Sequence, residues 1–268
     1  MISIRAALGN NPELESEILL CHVLKKNRAY LFAHPEESLH QQHYETFKNL
    51  LAKRATGVPI AYLTGEREFW SMNFKVNRHT LIPRHETELL VELALEKIPN
   101  EPDVWILELG TGSGAIALAL AKERPLWHII ACDYSEEALL IAQENALCHH
   151  ITNVHFYHSN WYSAIPPRQY HAIISNPPYI AEHDPHLLEA DLRFEPRSAL
   201  ASGQDGLADL LLIIKQGYDY LLPNGLILLE HGYNQKPNVQ AILRKLDYKN
   251  AQCWQDIQGH DRVSGGWR

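Results

Sequence analysis

From residue 103 to about 246 the chain alternates short apolar runs with amphipathic stretches, and nothing else in it restricts the fold so strongly. The runs 104–109, 128–132, 154–158, 172–175 and 226–229 read as strands. The stretches 115–123, 135–147, 207–221 and 237–246 carry apolar residues at helical spacing. Ser135 is placed to cap the second of these, with Glu136 and Glu137 in its first turn. Near-continuous apolar strands that alternate with helices mean βαβ units, hence a mainly parallel sheet covered on both faces. The fold class is therefore α/β.

The chain upstream of residue 103 has a different character. Residues 1–65 predict a small helical domain. Asn11 is placed to cap a first helix with Pro12 at its first position and Glu13 and Glu15 in its first turn. Leu14, Ile18 and Cys21 then recur on one face. A second helix is predicted over 38–55, with Tyr44, Phe47 and Leu51 on one face and Gly57 and Pro59 as its stop. Residues 66–84, with Phe69, Trp70, Phe74 and Val76, predict a β-hairpin linker, and a helix resumes at Leu89. Residues 85–268 then form the larger domain.

Two motifs carry chemistry. The first is Gly110-Thr111-Gly112-Ser113-Gly114, directly after a strand and before a helix. Glycines there let a ligand approach the backbone, and the helix beyond presents free N–H groups. Asp133 ends the next strand, about twenty residues on, where a carboxylate can bind ribose hydroxyls. Gly110, Gly112 and Ala115 also satisfy the dinucleotide fingerprint, so this motif alone leaves the nucleotide open.

The second motif, Asn176-Pro177-Pro178-Tyr179, follows the strand 172–175. It suits transfer of a methyl group to an amide or exocyclic amine. The lone pair of such a nitrogen is delocalised, so the site must hold both N–H groups with acceptors and aim the nitrogen at the methyl donor. The Asn176 side-chain oxygen is one acceptor, and the Pro177 carbonyl, free of any sheet ladder, is the second. Both favour the positive charge that grows on nitrogen. The prolines stiffen the loop, and Tyr179 offers a flat face for a planar group. A dehydrogenase would use the glycine loop and Asp133 but leave this motif idle. A cofactor-binding module without catalysis would not need its acceptors.

Composition removes other classes. The net charge of −8 argues against direct binding of nucleic acid through phosphates. No apolar run approaches the ~20 residues that span a bilayer, so no membrane is expected. Residues 1–11 hold no secretory h-region. Cys21, Cys132, Cys148 and Cys253 are scattered, which fits reduced thiols in the cytoplasm. Despite sixteen histidines there is no metal-ligand spacing, so no metal is expected.

Together these motifs resemble the class I amino-methyltransferases, and most specifically the bacterial peptide chain release factor N5-glutamine methyltransferases, the HemK/PrmC family. The likeness runs through the whole chain. It includes Pro59-Ile60-Ala61-Tyr62-Leu63-Thr64-Gly65, Glu68-Phe69-Trp70, Leu81-Ile82-Pro83-Arg84 and Thr87-Glu88. It continues through Leu107-Glu108-Leu109-Gly110, Trp161, Ser175 to Ile180, Phe194-Glu195-Pro196, Gly203, Asp205-Gly206, Glu230 and Gly232. The chain departs from the family at Ser159-Asn160-Trp161, where Asp usually precedes Trp, and at His85, where a proline is usual. An Asn160 amide oxygen can still accept a hydrogen bond from an adenine amino group, with less electrostatic help.

The resemblance implies a class I methyltransferase (Rossmann-like) domain with a seven-stranded sheet, and a helical N-terminal domain that docks the substrate. It implies S-adenosylmethionine as methyl donor, with S-adenosylhomocysteine as product. Gly110, Thr111, Gly112, Ser113 and Gly114 would cradle the cofactor, Asp133 would hold its ribose, and Trp161 would lie against its adenine. Asn176, Pro177, Pro178 and Tyr179 would hold the substrate, the glutamine of the Gly-Gly-Gln loop in class I release factors. The enzyme is expected to act as a monomer. A ribosomal-protein glutamine methyltransferase is the nearest alternative, and a DNA amino-methyltransferase a more distant one.

Overall fold

The computed structural model describes residues 2–9, 12–189 and 191–268. The chain divides into two compact units, residues 1–66 and residues 67–268.

The first unit is helical: α1 (Ile4–Leu8), α2 (Leu14–Leu24), α3 (Arg28–Ala33), α4 (Gln41–Ala55) and α5 (Ile60–Thr64). Ile4, Leu19, Leu20, Leu31, Leu39 and Phe47 form its core. Two ion pairs brace it. The buried Glu17 takes Arg28 Nε at 2.7 Å, and Glu15 takes Arg54 through two hydrogen bonds of 2.7 and 2.9 Å. Asn11, the expected cap, lies outside the described residues, and α2 begins at Leu14 with Glu13 in the cap position. The helix expected from residue 38 begins at Gln41, because Ser38 is drawn into a bridge with Ser3.

The second unit opens with the hairpin β1 (Glu66–Phe69) and β2 (Met72–Lys75). Its two turn residues, Trp70 and Ser71, both have positive φ, 53° and 54°. That conformation matches the right-handed twist of the strands. Residues 76–84, expected within the hairpin, are irregular, and α6 (Glu88–Lys97) follows a short 3₁₀ turn at His85–Thr87. The alternating region then gives β3 (Trp105–Leu109), α7 (Ala115–Glu123), β4 (His128–Asp133), α8 (Glu136–Cys148), β5 (Val154–His158) and β6 (Tyr170–Ser175). It continues with α9 (Ala208–Tyr220), β7 (Leu221–Glu230), α10 (Lys236–Lys245), β8 (Lys249–Gln255) and β9 (Asp261–Trp267). Ser135 does cap α8, accepting from Ala138 N at 3.1 Å.

The seven strands are ordered β5-β4-β3-β6-β7-β9-β8. β5 through β7 are parallel, while β9 and β8 are antiparallel. One core packs Ile106, Ile129, Ala172 and Leu228 under Leu90, Leu118 and their neighbours. The other packs Leu107, Leu109, Ile130, Ile173 and Ile227 under Ile213, Val239 and Leu243. Adjacent residues of β3 thus serve opposite cores, as the period of a strand requires. The chain runs outward from β3 to β4 and β5, then returns to β6 on the other side. The strand order therefore reverses between β3 and β6, where open α/β sheets bind their ligands.

Candidate active site

The strand ends set the site. Leu109 of β3 pairs with Ser175 of β6, and Ser175 Oγ donates to the Leu109 carbonyl at 2.7 Å. The next residues along each chain are Gly110 and Asn176, so the two motifs leave the sheet side by side.

The glycine loop folds back over the end of β4. Gly110 N and Thr111 N both donate to the Cys132 carbonyl at 2.9 Å. Gly110, Gly112 and Gly114 all have positive φ. A Cβ on Gly110 would meet the Trp161 ring at 3.5 Å, filling the gap between loop and indole. A Cβ on Gly114 would press Leu118 and Ala142 at 3.1 and 3.2 Å, so this glycine serves the packing of α7 on α8. Asn145, fully buried on α8, holds the loop to the hairpin: it donates to Ser113 O at 2.9 Å and Lys75 O at 3.0 Å, and accepts from Lys75 N at 2.7 Å.

Asp133 turns its carboxylate toward the same loop. One oxygen accepts from Gly112 N at 2.8 Å and the other from Ser135 N at 2.9 Å. Each oxygen keeps a second acceptor direction. Burial raises the Asp133 pKa, and its hydrogen bonds from Ser135 and Gly112 oppose that. Trp161 has φ of 50° and is fixed by its indole N–H, which donates to Asp209 at 3.1 Å.

Around Asn176 the support is polar and buried. Asn176 Nδ2 donates to Thr87 Oγ1 at 3.1 Å. Among the described residues no backbone N–H donates to the Pro177 carbonyl. Tyr179 is held at both ends, its hydroxyl donating to Glu230 Oε1 at 3.2 Å and its carbonyl accepting from Gln235 Nε2 at 3.0 Å. Burial and the neighbouring Glu230 push the Tyr179 pKa up, so the phenol stays neutral and donates. Glu195, buried, accepts from Ile82 N at 2.9 Å and pairs with Arg84.

Two carboxyl groups lie wholly inside this region. Glu108 accepts from the Thr111 hydroxyl at 2.6 Å and from Ala117 N at 3.1 Å. Burial nevertheless raises its pKa to about 7. Burial does the same to Glu230, to about 7, against hydrogen bonds from Thr87 and Tyr179 and the charge of Arg262.

A cleft of about 260 Å³ gathers many of these residues. Gly110, Gly112, Asp133, Trp161, Asn176 and Pro178 line it, as does Asn160. Thr111 and Ser113 line a second, smaller pocket of about 50 Å³. Gly114, Pro177 and Tyr179 line neither. Gly110, Gly112 and Asn176 line both. The glycine cradle, a carboxylate with spare acceptor directions and an indole face fit an adenosyl group bearing a methionine chain. Sequence pattern alone passes over Thr87, Glu108, Gln235 and Glu230, although three of these fall in stretches that carry the family likeness. Among the described residues no group of three or more His, Cys, Asp or Glu side chains could hold a metal ion.

Comparison with known proteins places the chain in a family. Residues 3–65 match the family model described as the PrmC N-terminal domain, and residues 85–205 match the methyltransferase small domain. The release factor glutamine methyltransferase of Shewanella oneidensis is 46% identical over 261 residues, 97% of this chain and 91% of that protein. Its counterpart in Coxiella burnetii is 45% identical over 273 residues, covering 98% of both. In fold, the crystal structure of a methyltransferase from Pyrococcus furiosus aligns with a TM-score of 0.56 at 16% identity, over 82% of this chain and 98% of that one.

Proposed function

The chain belongs to the release factor glutamine methyltransferase family, and from that premise we propose that it methylates the side-chain amide nitrogen, N5, of the Gly-Gly-Gln glutamine in class I peptide chain release factors. The observation that carries this reading is the pairing of Leu109 with Ser175, which sets Asn176 beside Gly110 on the wall of one cleft. When bound, S-adenosylmethionine supplies an electrophilic methyl group on a sulfonium. The Asp133 carboxylate holds the ribose hydroxyls with the acceptor directions it has left. Trp161 lies along the adenine. The glycine loop admits the methionine chain, since no side chain stands at Gly110 or Gly112.

Asn176 Oδ1 takes one N–H of the glutamine amide, and the Pro177 carbonyl, outside the pocket lining but with no backbone donor among the described residues, takes the other. These two acceptors fix the amide plane and turn the nitrogen lone pair toward the methyl group. They also stabilise the positive charge that nitrogen acquires during transfer. No general base is needed before transfer, because the nitrogen loses its proton readily once methylated. Tyr179, anchored at both ends, keeps the loop in place. Residues 1–65 dock the protein substrate, and the reaction takes place in the cytoplasm.

Transfer of label from S-adenosylmethionine tests the reading. The substrates are a purified class I release factor, the same factor with its loop glutamine changed to alanine, a ribosomal protein and unmethylated DNA. Label confined to the intact factor, located at the loop glutamine by peptide mass spectrometry, is the expected result. Label on DNA or the ribosomal protein alone would remove the substrate assignment.

A further inference from the structure

We propose that Thr87 is a positioning residue for methyl transfer: its hydroxyl holds the Nδ2 end of Asn176 and so leaves Oδ1 to face the substrate, while Glu230 sets the direction of the Thr87 hydroxyl. The inference rests on the role given to Asn176 above.

A carboxamide has two ends of nearly the same shape and opposite chemistry. An Asn176 turned the wrong way would set its own N–H groups against those of a glutamine amide. Something must therefore fix its orientation. The contact that does so is Asn176 Nδ2 to Thr87 Oγ1 at 3.1 Å. A hydroxyl alone gives no direction, because it both donates and accepts. Thr87 becomes a committed acceptor toward Asn176 only if its single proton goes elsewhere. Glu230 is the acceptor beside it: the Thr87 side chain favours the charged form of this buried carboxyl, whose Oε1 also accepts from the Tyr179 hydroxyl at 3.2 Å. Thr87 and Glu230 are both buried, at 4% and 1% exposure, so water does not compete for these directions.

The plainer role for a threonine at this place is to cap a helix. Thr87 occupies the residue before α6, yet its side chain makes no capping hydrogen bond. Its hydroxyl accepts from Asn176 Nδ2 instead. The carboxyl is placed by its surroundings: Tyr179 bonds to it, Arg262 attracts it and Glu86 repels it. Its second oxygen, Oε2, is buried with no hydrogen-bond partner among the described residues.

The test compares Thr87→Val, Thr87→Ser, Glu230→Gln, Asn176→Ala and the double variant Asn176→Ala/Thr87→Val, with cofactor affinity and turnover measured separately. Thr87→Val keeps the shape and removes the hydroxyl. Its kcat should fall roughly 10- to 100-fold, as an unpartnered buried amide end predicts, while the S-adenosylmethionine Kd stays within about 3-fold. Thr87→Ser should recover most of the rate. The double variant should be no slower than Asn176→Ala alone, because Thr87 acts only through Asn176. Additive losses, or a Thr87→Val enzyme at full kcat, would overturn the proposal. If Thr87→Val does not fold, Glu230→Gln decides: a fall in kcat with unchanged cofactor affinity supports the relay, and an unchanged kcat ends it. An Asn176→Ala enzyme with full activity would show instead that the underlying reading of Asn176 is at fault.

Discussion

Gly206 lies outside the cleft, yet its replacement by alanine should disable the enzyme. Gly206 has φ of 76°, where an L side chain costs about 1–2 kcal/mol. Its Cβ would sit 2.2 Å from the Tyr179 carbonyl oxygen and 2.9 Å from Gln235 Nε2. Neither neighbour can simply turn aside. The carbonyl is backbone, and Gln235 is tied on three sides, donating to Tyr179 O and Gly206 O and accepting from Gly232 N at 2.8 Å. Relief to ordinary contact requires the Tyr179 end of the loop to move by about 1 Å. Breaking the Gln235 bonds adds about 1 kcal/mol each. The summed loss is about 4–5 kcal/mol of stability, and a 1 Å misplacement at the substrate loop predicts roughly a 100-fold fall in kcat. Urea unfolding and methyl transfer on the same preparation measure both. Gly259→Ala is the control, since its φ is 80° with no atom within 4 Å of the added Cβ, so only the backbone strain applies. Wild-type kcat in Gly206→Ala, with a stability loss no greater than that of Gly259→Ala, would refute the clamp.

Trp161→Ala should weaken S-adenosylmethionine binding roughly 10- to 100-fold by calorimetry, the range expected when a base loses an aromatic face; an unchanged Kd would remove Trp161 from the site. Asn145→Ala removes three buried hydrogen bonds that join hairpin and glycine loop, and should cost about 2–4 kcal/mol in urea unfolding. Stability should fall as pH rises from about 4.5 to about 7. In that window the native state keeps protons on Glu108 and Glu230 that the unfolded chain has already released, and above it the difference is constant. The double variant Glu108→Gln/Glu230→Gln should flatten this slope, and an unaltered slope would assign it to other groups.

The parts of the fold that were legible in the sequence are those where burial dictates composition. β3, β4 and β6 are apolar on both faces and read directly, and Ser135 marked the start of α8. β8 and β9 did not read, because they are edge and near-edge strands rich in polar residues and glycine. Gly265 explains part of this: a Cβ there would meet the Ile227 carbonyl at 2.4 Å, so close strand approach removes the side chain that would have marked the strand. The motif residues of the site were legible because their chemistry demands particular side chains in sequence. Their supports were not. Thr87, 89 residues before Asn176, and Glu230, 51 residues after Tyr179, meet them only through the topology of the sheet. No local pattern encodes that meeting, and only the family likeness drew notice to those positions.

The strand ends also bear on the two cofactor readings that the glycine loop leaves open. Glu108, Asp133 and Glu230 stand at the C-terminal ends of β3, β4 and β7 on the same sheet edge, and burial raises the pKa of each. Asp133 lines the cleft and Glu108 the smaller pocket beside it. Such an edge opposes a pyrophosphate and favours a cation. S-adenosylmethionine and S-adenosylhomocysteine share their amino, carboxylate and adenosyl groups and differ in one positive charge at sulfur. Their affinity ratio therefore isolates that charge. Near pH 6 Glu108 is mostly protonated and contributes little. As pH rises through about 7 it ionises, so the preference for S-adenosylmethionine over S-adenosylhomocysteine should grow, by roughly 2- to 10-fold, and then level off. Glu108→Gln keeps acceptors for Thr111 and Ala117 but carries no charge, and its ratio should stay flat. Calorimetric titration of both ligands from pH 6 to pH 8.5 gives the ratio. A flat ratio in the unaltered enzyme would mean that the Glu108 charge does not reach the sulfur, and the selectivity for the cation would then have to come from Asp133 and the acceptors of the Asn176 loop.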